Sequence, residues 1–141
     1  MNNGLKELGL RALLLFIFST EVILHKMAIK STKEYINGFE WEINIIPATD
    51  PELYVDGDIC RGTTWFGKHQ IFLSSDLTSS TAKRIIVHEL THAYLFSTQM
   101  RVPETFTEEE VCDFIACWAD RIYSSANTVY GALYCEDSLI L

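Results

Sequence analysis

The residues best suited to chemistry in this sequence are two histidines and a glutamate within IIVHELTHAYLF, residues 85–96. His88 and His92 are four positions apart, so on a helix their side chains lie one turn above the other and can reach one metal ion. Glu89 follows the first histidine directly, where it can sit beside the ion and take a proton from an attacking water. The spacing therefore predicts a zinc (Zn2+) site with Glu89 as its general base.

The same three residues also have an ordinary interpretation. A His, Glu and His at this spacing arise by chance on helices, where the histidines are hydrogen-bonded core residues and the glutamate is a surface charge. A third ligand distinguishes the two interpretations, because two histidines, one carboxylate and a position left open for water form a catalytic zinc set.

The carboxylate ligand is expected from ETFTEEEVCDFIACWADRIY, residues 104–123, which predicts a second helix. Thr107 and Glu110 have the spacing of a capping box, which assigns Glu110 to the start of that helix. Glu109 is the predicted third ligand, because Asp113 follows one turn along and can accept the second N–H of a ligating histidine. The same acidic face also fits the solvated side of an amphipathic helix.

Hydrophobic periodicity indicates the elements that position these residues. FEWEINII, residues 39–46, alternates apolar and polar side chains and predicts a half-buried strand. RGTTWF (61–66) and HQIFLSS (69–75) predict a hairpin around a glycine turn, and HQIFLSS is expected to be the sheet edge that holds a substrate strand. Residues 80–97, apolar almost all round, predict a buried helix that carries the motif. The fold class is therefore α+β, with a three- or four-stranded sheet and two helices.

The chain begins with an apolar run, LGLRALLLFIFSTEVIL, at residues 8–24. Arg11 and Glu21 leave nine uncharged residues between them, fewer than the roughly 20 of a spanning helix. An N-terminal apolar helix is therefore predicted, and residues 1–26 are treated as this helix or an appendage to a single domain at residues 27–141. A signal or membrane anchor at residues 1–26 is the alternative, which leaves membrane association open.

Composition narrows the class of protein. A chain of 141 residues with 48% hydrophobic residues suits one cored domain. The formal net charge of −8 argues against a phosphate-binding surface, so no nucleic-acid partner is expected. The cysteines contain no C-x-x-C pair, which is typical of reduced thiols and a cytoplasmic location; secretion or membrane association is the alternative. They are Cys60, Cys112, Cys117 and Cys135.

The two motifs together resemble a known plan. HELTH with a later Glu-x-x-x-Asp is similar to the gluzincin arrangement of thermolysin-like peptidases. EEVCDFIA, residues 109–116, more closely resembles the E-x-x-[AC]-[ND]-x-x-A segment of the small ImmA/IrrE-like metallopeptidases, which are common in phages, prophages and mobile elements. The resemblance covers residues 39–123.

This resemblance implies a small zincin-like fold and a zinc-dependent metallopeptidase, a hydrolase acting on a specific protein or peptide substrate in a phage or mobile-element setting. It implies His88, His92 and Glu109 as metal ligands and Glu89 as the catalytic base. The sequence departs from the family after residue 116, where it reads CWADRI, and in the short interval between the two motifs. The alternative from another class is a non-catalytic interaction protein with a degenerate or structural metal site.

Overall fold

The structure is a computed structural model, which describes residues 28–98 and 106–135. The predicted N-terminal apolar helix and the boundary at residues 1–26 lie outside this part of the chain. Of the helices in the described ranges, none is both long enough and apolar enough to cross a membrane.

A mixed sheet forms the centre of the described fold. The strands are β1 (Lys30–Ile36), β2 (Phe39–Ile46), β3 (Tyr54–Val55), β4 (Asp58–Ile59), β5 (Gly62–Trp65) and β6 (Gln70–Ser74). Four of them pair in the order β1-β2-β6-β5, where β2 and β6 are parallel and the other neighbours are antiparallel. β3 and β4 form a separate two-stranded ribbon. The predicted α+β class, the strand at residues 39–46 and the hairpin are confirmed.

Two helices complete this architecture: α1 (Ser79–Ser97) and α2 (Glu108–Tyr134). α2 begins with the predicted capping box, in which the Thr107 amide donates to the Glu110 carboxylate at 2.8 Å and the Thr107 hydroxyl accepts from the Glu110 amide. α2 ends at Tyr134 instead of at the predicted residue 123. It continues because Ala126, Val129 and Leu133 extend its buried face at helical spacing.

The core lies between one face of the sheet and the two helices. Trp41 and Ile43 of β2 are almost fully buried there, in one cluster with Ile86 and Leu90 of α1. The other face of the sheet carries a smaller cluster, which consists of Ile46, Leu53 and Phe72. Both faces of β2 are therefore partly covered, and the side that packs on the helices fixes the position of α1.

The prediction that HQIFLSS forms the sheet edge is wrong. β6 pairs with β2 on one side and with β5 on the other, and its residues 71–74 are all buried. A strand covered in this way is a near-continuous apolar run, which is typical of a sheet centre. The edge nearest α1 is β5, and the opposite edge is β1. β1 was not predicted, because KSTKEYI is largely polar and only Ile36 in it is buried.

Candidate metal and catalytic site

The predicted site residues lie where α1 passes beside β5. Leu90 and Ala93 of α1 face the core and are almost fully buried, whereas His88 is exposed and His92 is half-buried. The composition of the helix predicted burial on all sides, and this prediction is wrong. The sheet and α2 leave one side of the helix open. That open side carries the two histidines.

The imidazoles of His88 and His92 point at a common place. Their Nε2 atoms are 3.3 Å apart, and their rings are inclined at 81°. Two ligands held about 2.0–2.1 Å from one tetrahedral ion are themselves about 3.3 Å apart. The pair therefore fits two positions of a zinc coordination sphere.

The pKa of His92 is displaced in the direction that suits a ligand. Burial lowers this pKa below its usual range; the charge of Glu89 raises it and the neighbouring His88 lowers it. A neutral imidazole is the form that binds a metal. The half-buried position thus favours the metal-binding form of His92.

Glu89 lines the same cavity as the two histidines and is only 5% exposed. The Thr64 hydroxyl donates to its Oε2 at 2.7 Å and lies 3.3 Å from its backbone carbonyl oxygen. Thr64 belongs to β5, so this contact connects the edge strand to the helix. Thr64 is not predicted from the sequence, because its role depends on β5 lying beside α1 and no local pattern indicates that contact.

Gly62 permits this close approach of β5 to α1. A Cβ atom at this position would lie 2.7 Å from Ile85 Cγ2 and 2.8 Å from Glu89 Oε1. Both distances are shorter than real Cβ contacts allow, so any other residue would displace the glutamate or the strand. The signal in the sequence was a glycine at the start of a predicted strand, which often marks a close backbone approach.

Two adjoining cavities open on the candidate site. One of about 290 Å³ contains both histidines and Glu89 and has an apolar wall, which is formed by Val55, Trp65 and Phe66. The Phe66 ring stands nearly perpendicular to that of His92, with centroids 6.4 Å apart. The second cavity, of about 310 Å³, shares His88 and Glu89 with the first. Together they extend along β5 on both sides of the glutamate.

The predicted third ligand and its partner lie elsewhere. Glu109 and Asp113 are exposed on the first turns of α2. α2 packs on the Tyr94 side of α1, where the Tyr94 hydroxyl is 3.0 Å from Ser125 Oγ. At 3.6 residues per turn, Tyr94 is about 120° from His88 and about 160° from His92 around the helix axis.

The structure thus brings together His88, Glu89 and His92, and it does not bring Glu109 or Asp113 to them. Among residues 28–98 and 106–135, no three His, Cys, Asp or Glu side chains are grouped so that they could hold a metal ion. The roles of Glu109 and Asp113 stay predictions, and they require the first turn of α2 to come closer to the histidines.

Comparison of the chain with protein-family models, with curated proteins and with solved structures found no match. The resemblance to ImmA/IrrE-like metallopeptidases therefore rests on residues 88–92 and 109–116 and stays a prediction.

Proposed function

We propose that this protein is a zinc-dependent metallopeptidase that hydrolyses peptide bonds. The observation that carries the proposal is the 3.3 Å separation of the His88 and His92 Nε2 atoms in a cavity that they share with a buried glutamate, Glu89. The same 3.3 Å also fits a hydrogen bond between the two rings; what favours a metal is that the pair lines an open cavity together with Glu89. The zincin-like character of the fold and the phage or mobile-element setting belong to the same proposal.

His88 and His92 would hold the ion, with Glu109 as the proposed third ligand. Zinc bound there would polarise a scissile carbonyl and make a water molecule more acidic. Two histidines and one carboxylate leave a coordination position open, as in catalytic zinc sites.

Glu89 supplies the proton transfer in this proposal. Its carboxylate takes a proton from the attacking water and passes it to the leaving amine. Thr64 occupies one carboxylate oxygen, Oε2, and thereby orients the other for the transfer. Because the side chain is buried between α1 and β5, its geometry is largely set before a substrate arrives.

In this proposal the strand that pairs with the substrate is β5, and not β6 as the sequence predicted. As an edge strand next to the histidines, it can pair with an extended peptide through backbone hydrogen bonds. Such pairing places a peptide bond alongside Glu89. A protein or peptide is therefore the proposed substrate, and the net charge of −8 makes nucleic acid an unsuitable one. The proposed location is the cytoplasm.

One observation favours a second function. Within the described residues no third ligand accompanies the two histidines, and a site that stays incomplete would bind metal weakly and not catalyse. In that case the protein would be a non-catalytic interaction module with a degenerate or structural site.

Metal analysis separates the peptidase from a module with a degenerate site, and loss of peptide cleavage in Glu89→Gln with zinc retained separates it from a module with a structural site. The wild-type chain should bind about one zinc per molecule, and His88→Ala and His92→Ala should each lose it. His69→Asn is a matched control, because His69 has φ of 50°, which asparagine tolerates. The metallopeptidase proposal would be contradicted if the wild type bound no zinc, or if His88→Ala and His92→Ala both bound it as the wild type does.

A further inference from the structure

Two arginines stand beside the candidate site. Arg61 and Arg84 line the cavity of about 310 Å³ that also contains His88 and Glu89. Both arginines are exposed. The chain as a whole has 19 acidic and 11 basic residues, so a cavity lined by two arginines and one glutamate has a local charge opposite in sign to that of the whole chain.

The two arginines reach this cavity from different elements. Arg84 lies one turn before His88 on α1, so it projects from the same face as the histidines. Arg61 directly precedes Gly62, at the beginning of β5. Both arginines therefore lie on one side of Glu89, toward the start of the edge strand.

The other side of Glu89 has a different character. The apolar wall of the adjoining cavity is formed by Trp65 at the far end of β5, by Phe66 directly after it and by Val55 of β3. A peptide paired along β5 would therefore meet positive charge at one end and apolar surface at the other.

In the described part of the chain the ion pairs are Lys33–Glu40 and Lys68–Glu52, so neither arginine has a carboxylate partner there. Arginine presents a planar fork of donors that matches a carboxylate in a bidentate arrangement. The Glu89 carboxylate shares the cavity, but it accepts its hydrogen bond from Thr64.

We propose that Arg61 and Arg84 form a subsite for a carboxylate of the substrate, either an acidic side chain or a free carboxyl terminus. This inference rests on the proposed peptidase function, whose substrate class it narrows. The enzyme selects peptides with negative charge on one side of the scissile bond, despite the net negative charge of the protein itself.

The test is peptide binding by calorimetry to the metal-free protein, which needs no catalysis. Two matched sets of peptides have an acetylated amino terminus and an amidated carboxyl terminus. One set carries glutamate and the other glutamine, at successive positions on either side of a central phenylalanine. A third set carries glutamine and a free carboxyl terminus. At the favoured position the glutamate peptide should bind about 10-fold or more tightly than its glutamine partner, as expected for a charge-assisted hydrogen bond. A preference confined to the third set would identify a terminal carboxylate as the ligand.

Arg61→Gln and Arg84→Gln should each remove this preference and leave binding of the glutamine peptide unchanged. Lys83→Gln is the matched control, because it removes a neighbouring exposed charge of α1 that does not line the cavity, and it should keep the preference. Equal binding of all sets, binding of none, or a preference that survives in both arginine variants would overturn the inference. Zinc content and hydrolysis are measured separately, so a failed peptidase function is distinguishable from a failed carboxylate subsite.

Discussion

Thr64 and Glu89 join the edge strand to the histidine-bearing helix through a hydrogen bond of 2.7 Å. Through this bond one oxygen of the buried Glu89 carboxylate accepts from Thr64, and the orientation of the glutamate side chain relative to β5 is fixed. In the proposed reaction Thr64 is a positioning residue for the base, since it touches Glu89 and not the reacting atoms.

Replacing Thr64 by valine keeps the shape of the side chain and removes the donor. We expect the kcat of peptide hydrolysis to fall about tenfold or more, because a misplaced base loses much of its effect. KM and zinc content should stay near wild type. Thr64→Ser restores a hydroxyl and should recover most of the rate. A rate that is equal in the valine and serine variants would contradict the positioning role.

Gly62→Ala should destabilise the fold and disturb the site together. The added Cβ would meet Ile85 and Glu89 at less than 3.0 Å, and overpacking of this kind costs about 1–3 kcal/mol. Gly67→Ala is the matched control, because nothing lies within 4 Å of its Cβ position. Urea unfolding of both variants measures the difference. Equal midpoints would show that β5 can move away from α1 at little cost.

Tyr94→Phe tests the contact that holds α2 against α1. The Tyr94 hydroxyl lies 3.0 Å from Ser125 Oγ, and the Ser125 hydroxyl in turn donates to Glu34 Oε1 at 2.7 Å. Loss of the Tyr94 hydroxyl leaves the buried Ser125 hydroxyl with one hydrogen-bond partner fewer and should lower the free energy of unfolding by about 1 kcal/mol. Tyr123→Phe is the control, because Tyr123 is 57% exposed. Equal destabilisation of the two variants would contradict a specific role for this network.

Glu109→Gln tests the third ligand directly. If Glu109 binds zinc, the affinity should fall by more than the roughly 10- to 100-fold that the loss of an outer partner costs. Glu108→Gln, an exposed neighbour in the same turn, should bind zinc like the wild type. Competition with a chromophoric chelator measures both affinities. Wild-type affinity in Glu109→Gln would remove this residue from the ligand set and leave the two histidines in it.

Local signals predicted much of the fold. The alternation at residues 39–46 and the capping box at Thr107 depend on near neighbours in the chain, and the structure has both. The spacing of His88 and His92 likewise places both imidazoles on one face, since four residues make about one helical turn. These features need no knowledge of which strands pair.

The remaining features depend on pairing between distant segments. Thr64 and Glu89 are 25 residues apart, and their contact exists because β5 is the edge strand and β6 is not. The third ligand raises the same difficulty, because the position of Glu109 relative to the histidines depends on how α2 packs.

Hydrolysis by the zinc-loaded wild-type chain and by Glu89→Gln is the most direct measurement of the central claim. Both proteins, incubated with a proteome-derived peptide library, are analysed by mass spectrometry for newly formed amino termini. The two should contain the same amount of zinc, and the variant should cleave about 100-fold more slowly or worse, because it lacks the proton acceptor. A zinc-loaded wild type that produces no new termini, or a variant that cleaves as fast as the wild type, would contradict the account.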